Sequence, residues 1–197
     1  MTQPSFILFD TAIGCCGIAW SERGVIGVQL PEASEERTRT RLLRRFPDAR
    51  AAPAPAAITR AIEDIVALLR GEARDLSAVA IDLDSLDEFD RRVCLAARAI
   101  PAGATLTYGE LATRLGDRSL ARDVGQALGR NPVPLIVPCH RVLAAGGKAG
   151  GFSANGGITT KLRLLSIEGA RTSAEPTLFE GDRSFALAVK PARRGAR

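Results

Sequence analysis

Pro132 and Pro134, one residue apart, rule out a helix just ahead of Pro138-Cys139-His140-Arg141-Val142, and no other stretch limits the fold as tightly. Proline lacks an amide hydrogen and pushes the residue before it toward extended backbone. Asn131-Pro132-Val133-Pro134 is therefore expected to lead into a short, buried, extended segment, Leu135-Ile136-Val137, that ends in a turn fixed by Pro138. Cys139 sits at that turn beside His140, the only histidine in the chain. A thiol is a strong nucleophile only as thiolate, and a nearby imidazole, acting directly or through a water, is the usual means of making one. A fall in thiol pKa from about 8.5 to about 6.5 would raise the thiolate fraction at pH 7 from roughly 3% to roughly 75%. By itself the dipeptide reads equally well as a small buried thiol next to a hydrogen-bonded histidine.

The flanking sequence adds structure around the pair. Residues 144 to 153 hold four glycines and end in Phe152-Ser153, a loop able to fold closely around a small flat ligand. Lys161 to Gly169 reads as an amphipathic helix with a glycine stop, which puts Glu168 near its end, either orienting the histidine or simply solvated. Upstream, Thr107-Tyr108-Gly109-Glu110 has the form of a capping box that starts a helix through Leu111 and Leu115. Gly116-Asp117-Arg118 turns the chain, and a second helix is expected from a Ser119 cap, with Leu120, Val124 and Leu128 on one face. Two short helices joined by a tight turn outline a helix-turn-helix, a shape also common in proteins that never touch nucleic acid. The second helix is poor in bulk at Ala121, Gly125 and Ala127 and carries Arg122 as its long side chain, which suits a narrow groove better than a wide one.

The first third reads as α/β. Residues 6–10, 17–20 and 24–30 look like strands separated by turns at Ile13-Gly14 and Glu22-Arg23-Gly24. Helices are expected over 34–46 and 58–70 with an Ala/Pro connector between them, a further strand over 79–83, and a helix over 89–99. Residues 1–84 carry 10 basic and 12 acidic side chains, whereas 85–169 carry 11 and 7, so positive charge gathers in the second part. Four cysteines in no paired spacing, with neither a signal peptide nor a long apolar span, predict a cytoplasmic protein without structural disulfides or a membrane anchor. Cys15, Cys16 and Cys94 are expected in or near the core.

The ordered motifs Thr-Tyr-Gly-Glu-Leu-Ala at 107–112, Arg122, Val124-Gly125, Asn131-Pro132, Pro138 to Val142, Gly151-Phe152-Ser153 and Lys161 to Gly169 closely resemble the methylated-DNA–protein-cysteine methyltransferases, also called O6-alkylguanine-DNA alkyltransferases. The resemblance covers residues 85 to 170 and is loose in the N-terminal part. The α/β reading of the first third defines an N-terminal domain over 1–84, a small β-sheet with helices, in a supporting role. The resemblance implies a mostly α domain over 85–170 with a winged-helix-like helix-turn-helix, which leaves residues 171–197 as a C-terminal extension. The activity implied is single-turnover DNA repair: a monomer binds duplex DNA through the minor groove, flips out O6-alkylguanine and passes the alkyl group to a cysteine for good, without cofactor or metal. When bound to DNA it would be associated with the nucleoid.

By resemblance, Cys139 is the alkyl acceptor, His140 the base acting through a water, and Glu168 the acid that holds the histidine. Tyr108 donates to the departing guanine, and Asn131 ties the active-site turn to the preceding helix. Ser153 contacts guanine O6, the Val142 region offers carbonyls to the exocyclic amine, Gly125 allows close approach to DNA, and Arg122 fills the space of the flipped nucleotide. The chain departs from the family pattern at Phe152, where tyrosine is common, at Ala102, and in a longer loop over 154–160 that bears on which alkyl groups fit. Two other classes compete: a cysteine hydrolase, which would turn over through a hydrolysable acyl-enzyme, and a DNA-binding regulator, which in this family carries an additional cysteine-rich metal domain.

Overall fold

The computed structural model describes residues 3–170. Three strands, β1 (Ser5–Thr11), β2 (Gly14–Ser21) and β3 (Gly24–Gln29), form an antiparallel meander through two tight hairpins. Both strand pairs and both turns are where the alternation of apolar runs and turn residues predicts them. The second hairpin depends on Gly24, whose φ is +140° and where an added Cβ would lie 2.5 Å from the carbonyl oxygen of Ala80. At this point the chain returns along the free edge of β3: Val25 N–H donates to Ala80 O and Asp82 N–H to Val25 O. The strand expected over 79–83 is consequently reduced to one isolated bridge, Val25 to Ile81. The Asp82 carboxylate accepts from Ser21 and Arg23.

Helix α1 (Glu35–Arg45) is capped by Ser34, which accepts from Arg37 N–H, with Glu35 and Glu36 in the first turn and Arg44 and Arg45 in the last, the order that suits the helix dipole. It covers one face of the sheet, where Leu42 meets Phe6, Ala19 and Ala49. In the expected connector, Arg50–Ala51 make a short strand, β4, parallel to β1, so the sheet order is β3-β2-β1-β4. Helix α2 (Ala56–Leu69) presents Ile58, Ile65, Leu68 and Leu69 to the opposite side. There the buried apolar side chains form one continuous cluster from Ile18 and Trp20 of β2 to Val93, Val124, Val137 and Leu164.

Helix α3 (Glu88–Arg98) starts at an Asp87 cap. Strand β5 (Leu106–Thr107) leads into α4 (Tyr108–Arg114), where both halves of the capping box are present: Thr107 Oγ1 accepts from Glu110 N–H, and the Glu110 carboxylate accepts from Thr107 N–H. The cap expected at Ser119 is Asp117 instead. Its carboxylate accepts from Ser119 N–H and starts a 3-10 turn, Arg118–Leu120, that runs into α5 (Ala121–Gly129). Aspartate reaches the exposed amide two residues on more easily than serine does, and the tighter turn follows. Arg130, just past α5, grips Asp90 in α3 through Nε and Nη2, each 2.6 Å from a carboxylate oxygen.

The expected extended segment at 135–137 is buried, but it is a turn. Leu135 has φ +74°, and Val137 N–H donates to Val133 O at 2.9 Å. Pro132 and Pro134 prevent a helix without enforcing a strand, and Asn131 supplies the partners a strand neighbour would have given. Its amide donates to Val137 O at 2.8 Å and its Oδ1 accepts from Val133 N–H at 3.0 Å. Cys139–Arg141 form a single 3-10 turn, β6 (Val142–Leu143) pairs in parallel with β5, and α6 (Gly157–Ile167) closes the described chain with Glu168 at its C-cap. The extension over 171–197 lies outside the described residues. No helix among the described residues is long and apolar enough to cross a membrane.

Candidate active site

Cys139 reaches its position through backbone supports on three sides. The β3 strand accepts the preceding loop, because Val28 N–H donates to Pro132 O at 2.9 Å. Asn131 braces the turn from inside, and α6 closes the far side through Glu168 and Lys161. All four cysteines are free thiols; Cys15 is half-buried, whereas Cys16, Cys94 and Cys139 are buried.

Glu168 is the hub of the buried polar cluster, with a side chain only 2% exposed. Its Oε1 lies 2.9 Å from His140 Nε2, and Arg141 Nε and Nη2 donate to its two oxygens at 2.8 Å each. Burial alone would raise the carboxyl pKa, but the hydrogen bonds from His140 and Arg141 outweigh it and hold the group at about 2, so it is ionised. Burial pushes the His140 pKa down, against the pull of Glu168, and a neutral imidazole results near pH 7. An ionised carboxylate can only accept, so Nε2 carries the ring hydrogen and Nδ1 keeps its lone pair. Among the described residues Nδ1 has no hydrogen-bond partner. That atom is where a general base would act.

The simple picture of a thiol ionised by its neighbour requires correction. His140 engages Glu168 through Nε2 and makes no side-chain hydrogen bond to Cys139. Burial raises the Cys139 pKa, with hydrogen bonding to Asn131 and the charge of Lys161 opposing the rise only in part. The resting sulfur is thus a neutral thiol, and its proton must leave as the reaction proceeds. Spacing could not show this, since it follows from how completely the turn is enclosed.

Two clefts open onto Cys139. The larger, of ≈ 560 Å³, runs between α5 and the glycine-rich loop, with Tyr108, Arg122, Gly125, Gln126, Gly151 and Ser153 among its lining. Its size is that of a pocket for a small organic ligand, roughly 300–1,000 Å³. Tyr108 stands half-buried in the wall, its pKa raised by burial, so the phenol keeps its proton. Gly150, at φ +67°, lets the loop pass close to that ring, where a Cβ would sit 3.2 Å from Tyr108 Cε2. Gly125 backs the other side of the ring. Arg122 and Ser153 are exposed along the same cleft. The smaller cleft, ≈ 200 Å³, lies between β3, α1 and the same thiol and also includes Asn131 and Ser153. The structure thus brings Tyr108, Arg122, Gly125, Asn131, Ser153, His140 and Glu168 around Cys139, with Val142 in the strand that follows.

Two contributors were not singled out from the sequence. Arg141 neutralises Glu168 and also donates to Ile100 O. Lys161 is fully buried, donates to Val142 O at 2.6 Å and places Nζ 5.6 Å from the Tyr108 ring centroid. Burial lowers its pKa to about 8, so it remains mostly charged at neutral pH beneath the phenol and the thiol. The available signal was a lysine one turn into an otherwise apolar helix face, at the i position of Lys161, Leu164, Leu165. Val142 O, a candidate acceptor from a bound base, already accepts from Lys161, though a carbonyl retains a second lone pair. Among the described residues no group of His, Cys, Asp and Glu is arranged to hold a metal ion.

Residues 88–170 match the family model described as the DNA binding domain of 6-O-methylguanine DNA methyltransferase. A methylated-DNA–protein-cysteine methyltransferase of Mycobacterium tuberculosis is 43% identical over 128 residues, covering 65% of this chain and 75% of its own. One from Methanothermobacter thermautotrophicus is 35% identical over 153 residues, 78% of each chain. The crystal structure of the M. tuberculosis O6-methylguanine methyltransferase superposes with a TM-score of 0.68 at 34% identity, over 87% of this chain and 96% of that one. A crystal structure of M. tuberculosis OGT in complex with DNA gives 0.65 at 34% identity, over 85% and 96%.

Proposed function

Since this chain belongs to the methylated-DNA–protein-cysteine methyltransferases, DNA-repair proteins that act by alkyl transfer, we propose that its acceptor is Cys139 and that each molecule acts once. The observation that carries this reading is the buried line from Arg141 through Glu168 to His140, which leaves Nδ1 unprotonated on the residue that follows Cys139, whose thiol lines a cleft of small-ligand size. Helix α5 enters the minor groove with its small residues, and Arg122 takes the place of the flipped nucleotide. The extruded guanine fills the larger cleft, where Ser153 meets O6 and a carbonyl of the Val142 strand accepts from the exocyclic amine.

The thiol proton passes to His140 Nδ1 through a water, and the nascent thiolate is stabilised by the Lys161 cation. Sulfur attacks the alkyl carbon: an S–C bond forms, the C–O6 bond breaks, and its electron pair moves into the guanine. Tyr108 hydrogen-bonds the departing base and offsets the charge that develops there. The product thioether has no leaving group that water can displace, so the acceptor is not regenerated.

Incubation with a duplex containing one O6-methylguanine, followed by intact-mass and peptide analysis, tests the reading. The expected result is one gain of about 14 Da on the Cys139 peptide, stoichiometric with protein. Cys139→Ser is expected to lose transfer and retain DNA binding. Multiple turnovers, or a gain on another cysteine, would overturn it.

A further inference from the structure

The larger cleft accounts for the nucleobase, but the smaller one also ends at Cys139, and its walls differ in kind. It is bounded by Gln29 of the sheet, Arg41 and Arg45 of α1, Arg130 after α5, and Ser153 of the loop, and no carboxylate lies among its lining residues. Arg41 is tethered, with Nε 3.2 Å from Glu32 and Nη2 donating to Ser153 O at 3.2 Å. Arg130 is held by Asp90. Arg45 has no carboxylate within ion-pair distance among the described residues; its guanidinium lies 5.6 Å from the Phe46 ring centroid. Arg45 is thus a cation without an ionic partner, four residues along the same helix from Arg41, at the rim of a cleft that reaches the reacting sulfur.

In an in-line displacement the base leaves opposite the sulfur, so anything else attached to the reacting carbon must extend sideways. With the nucleobase in the larger cleft, the smaller one is the space into which such a substituent extends. Its ≈ 200 Å³ holds a few heavy atoms at roughly 30 Å³ per water-sized group. We infer that this cleft is a substituent subsite suited to negatively charged O6 groups, of the carboxymethyl class, with Arg45 and Arg41 as the residues that favour them. The inference rests on Cys139 being the alkyl acceptor. A carboxylate next to the reacting carbon would otherwise repel the forming thiolate, and a cationic rim offsets that repulsion. The step is the same displacement: sulfur bonds to the methylene carbon, the bond to O6 breaks, and the carboxylate is carried unchanged onto Cys139.

Single-turnover rates on three otherwise identical duplexes test this, carrying O6-methylguanine, O6-carboxymethylguanine and its neutral near-isostere O6-carbamoylmethylguanine. Sharing one DNA sequence cancels the phosphate contribution, so the carboxymethyl-to-carbamoylmethyl ratio reports the substituent alone. The ratio is expected to be about five at low salt, to approach one at high salt, and to fall to about one in Arg45→Gln while staying above one in Arg45→Lys. A wild-type ratio at or below one overturns the inference. So does an Arg45→Gln variant that slows all three substrates in proportion with a shallower salt dependence, the behaviour of a phosphate contact. Failure of methyl transfer itself would instead strike at Cys139 as acceptor.

Discussion

Replacing Glu168 with glutamine keeps the side chain's shape and removes its charge, which separates packing from electrostatics at the centre of the site. The carboxyl is held at about 2 against a reference of 4.5, and at 1.36 kcal/mol per unit this corresponds to roughly 3 kcal/mol of interaction favouring the charged form. No screening by water reduces it, because the side chain is 2% exposed. Glu168→Gln also leaves the Arg141 guanidinium, itself 8% exposed, without a counter-charge. Removing one partner of a buried pair costs about 3–5 kcal/mol, and with a urea m-value of about 2 kcal/mol/M the midpoint should fall by about 1.5–2.5 M. Because the folded pKa is depressed, this stabilisation is complete above about pH 4.5 and is lost as pH falls toward 2. Urea melts at pH 7 and at pH 3 measure both effects, and the gap between wild type and variant should narrow at the lower pH. The double variant Glu168→Gln/Arg141→Met should recover part of the loss, since no unpaired charge remains. A Glu168→Gln midpoint within about 0.3 M of wild type, equal to about 0.6 kcal/mol, would refute the account of Glu168 as an ionised hub. Alkyl transfer by the same variant should slow by about 10²-fold or more, because an amide no longer fixes the tautomer that exposes Nδ1.

Other outcomes follow from the same geometry. Lys161→Met removes a buried cation whose pKa is lowered to about 8. Between pH 8 and 10 the unfolded wild type holds more proton than the folded, so urea stability should rise with pH by up to roughly 3 kcal/mol relative to the variant. Alkyl transfer by Lys161→Met should be slower at pH 7, as the nascent thiolate loses a cation that favours it. Thr107→Ala deletes half of the capping box ahead of Tyr108 and should cost about 1 kcal/mol by chemical denaturation. Gly150→Ala forces a left-handed residue against the Tyr108 ring; a loss of about 1–2 kcal/mol is expected, with slower transfer in stopped-flow assays as the phenol shifts.

Much of this was legible in the sequence where the signal is local. The capping box at Thr107, the hairpin turns of the sheet and the glycine stop after Glu168 depend on residues within a few positions of one another, and the structure has each of them. What went unread depends on distant neighbours. The segment at 79–83 is apolar enough for a strand, but it meets a single partner residue at Val25. Residues 135–137 form a turn rather than an extended segment, a form that no periodicity encodes. Arg141 and Lys161 were not singled out because their sequence neighbours do not reveal the enclosure in which they lie. The protonation of Cys139, left open by the dipeptide alone, is likewise set by distant neighbours, since a pKa reports the full surroundings of an atom.

Holding that sulfur neutral has a bearing on its lifetime in the cell. Peroxides and stray electrophiles react with thiolates far faster than with thiols, and the enclosed Cys139 is disfavoured from ionising until a base and its partners are in place. If Cys139 acts once, as proposed above, slow reaction with everything except the seated lesion is a form of storage: the protein can wait, reduced and undepleted, for its substrate.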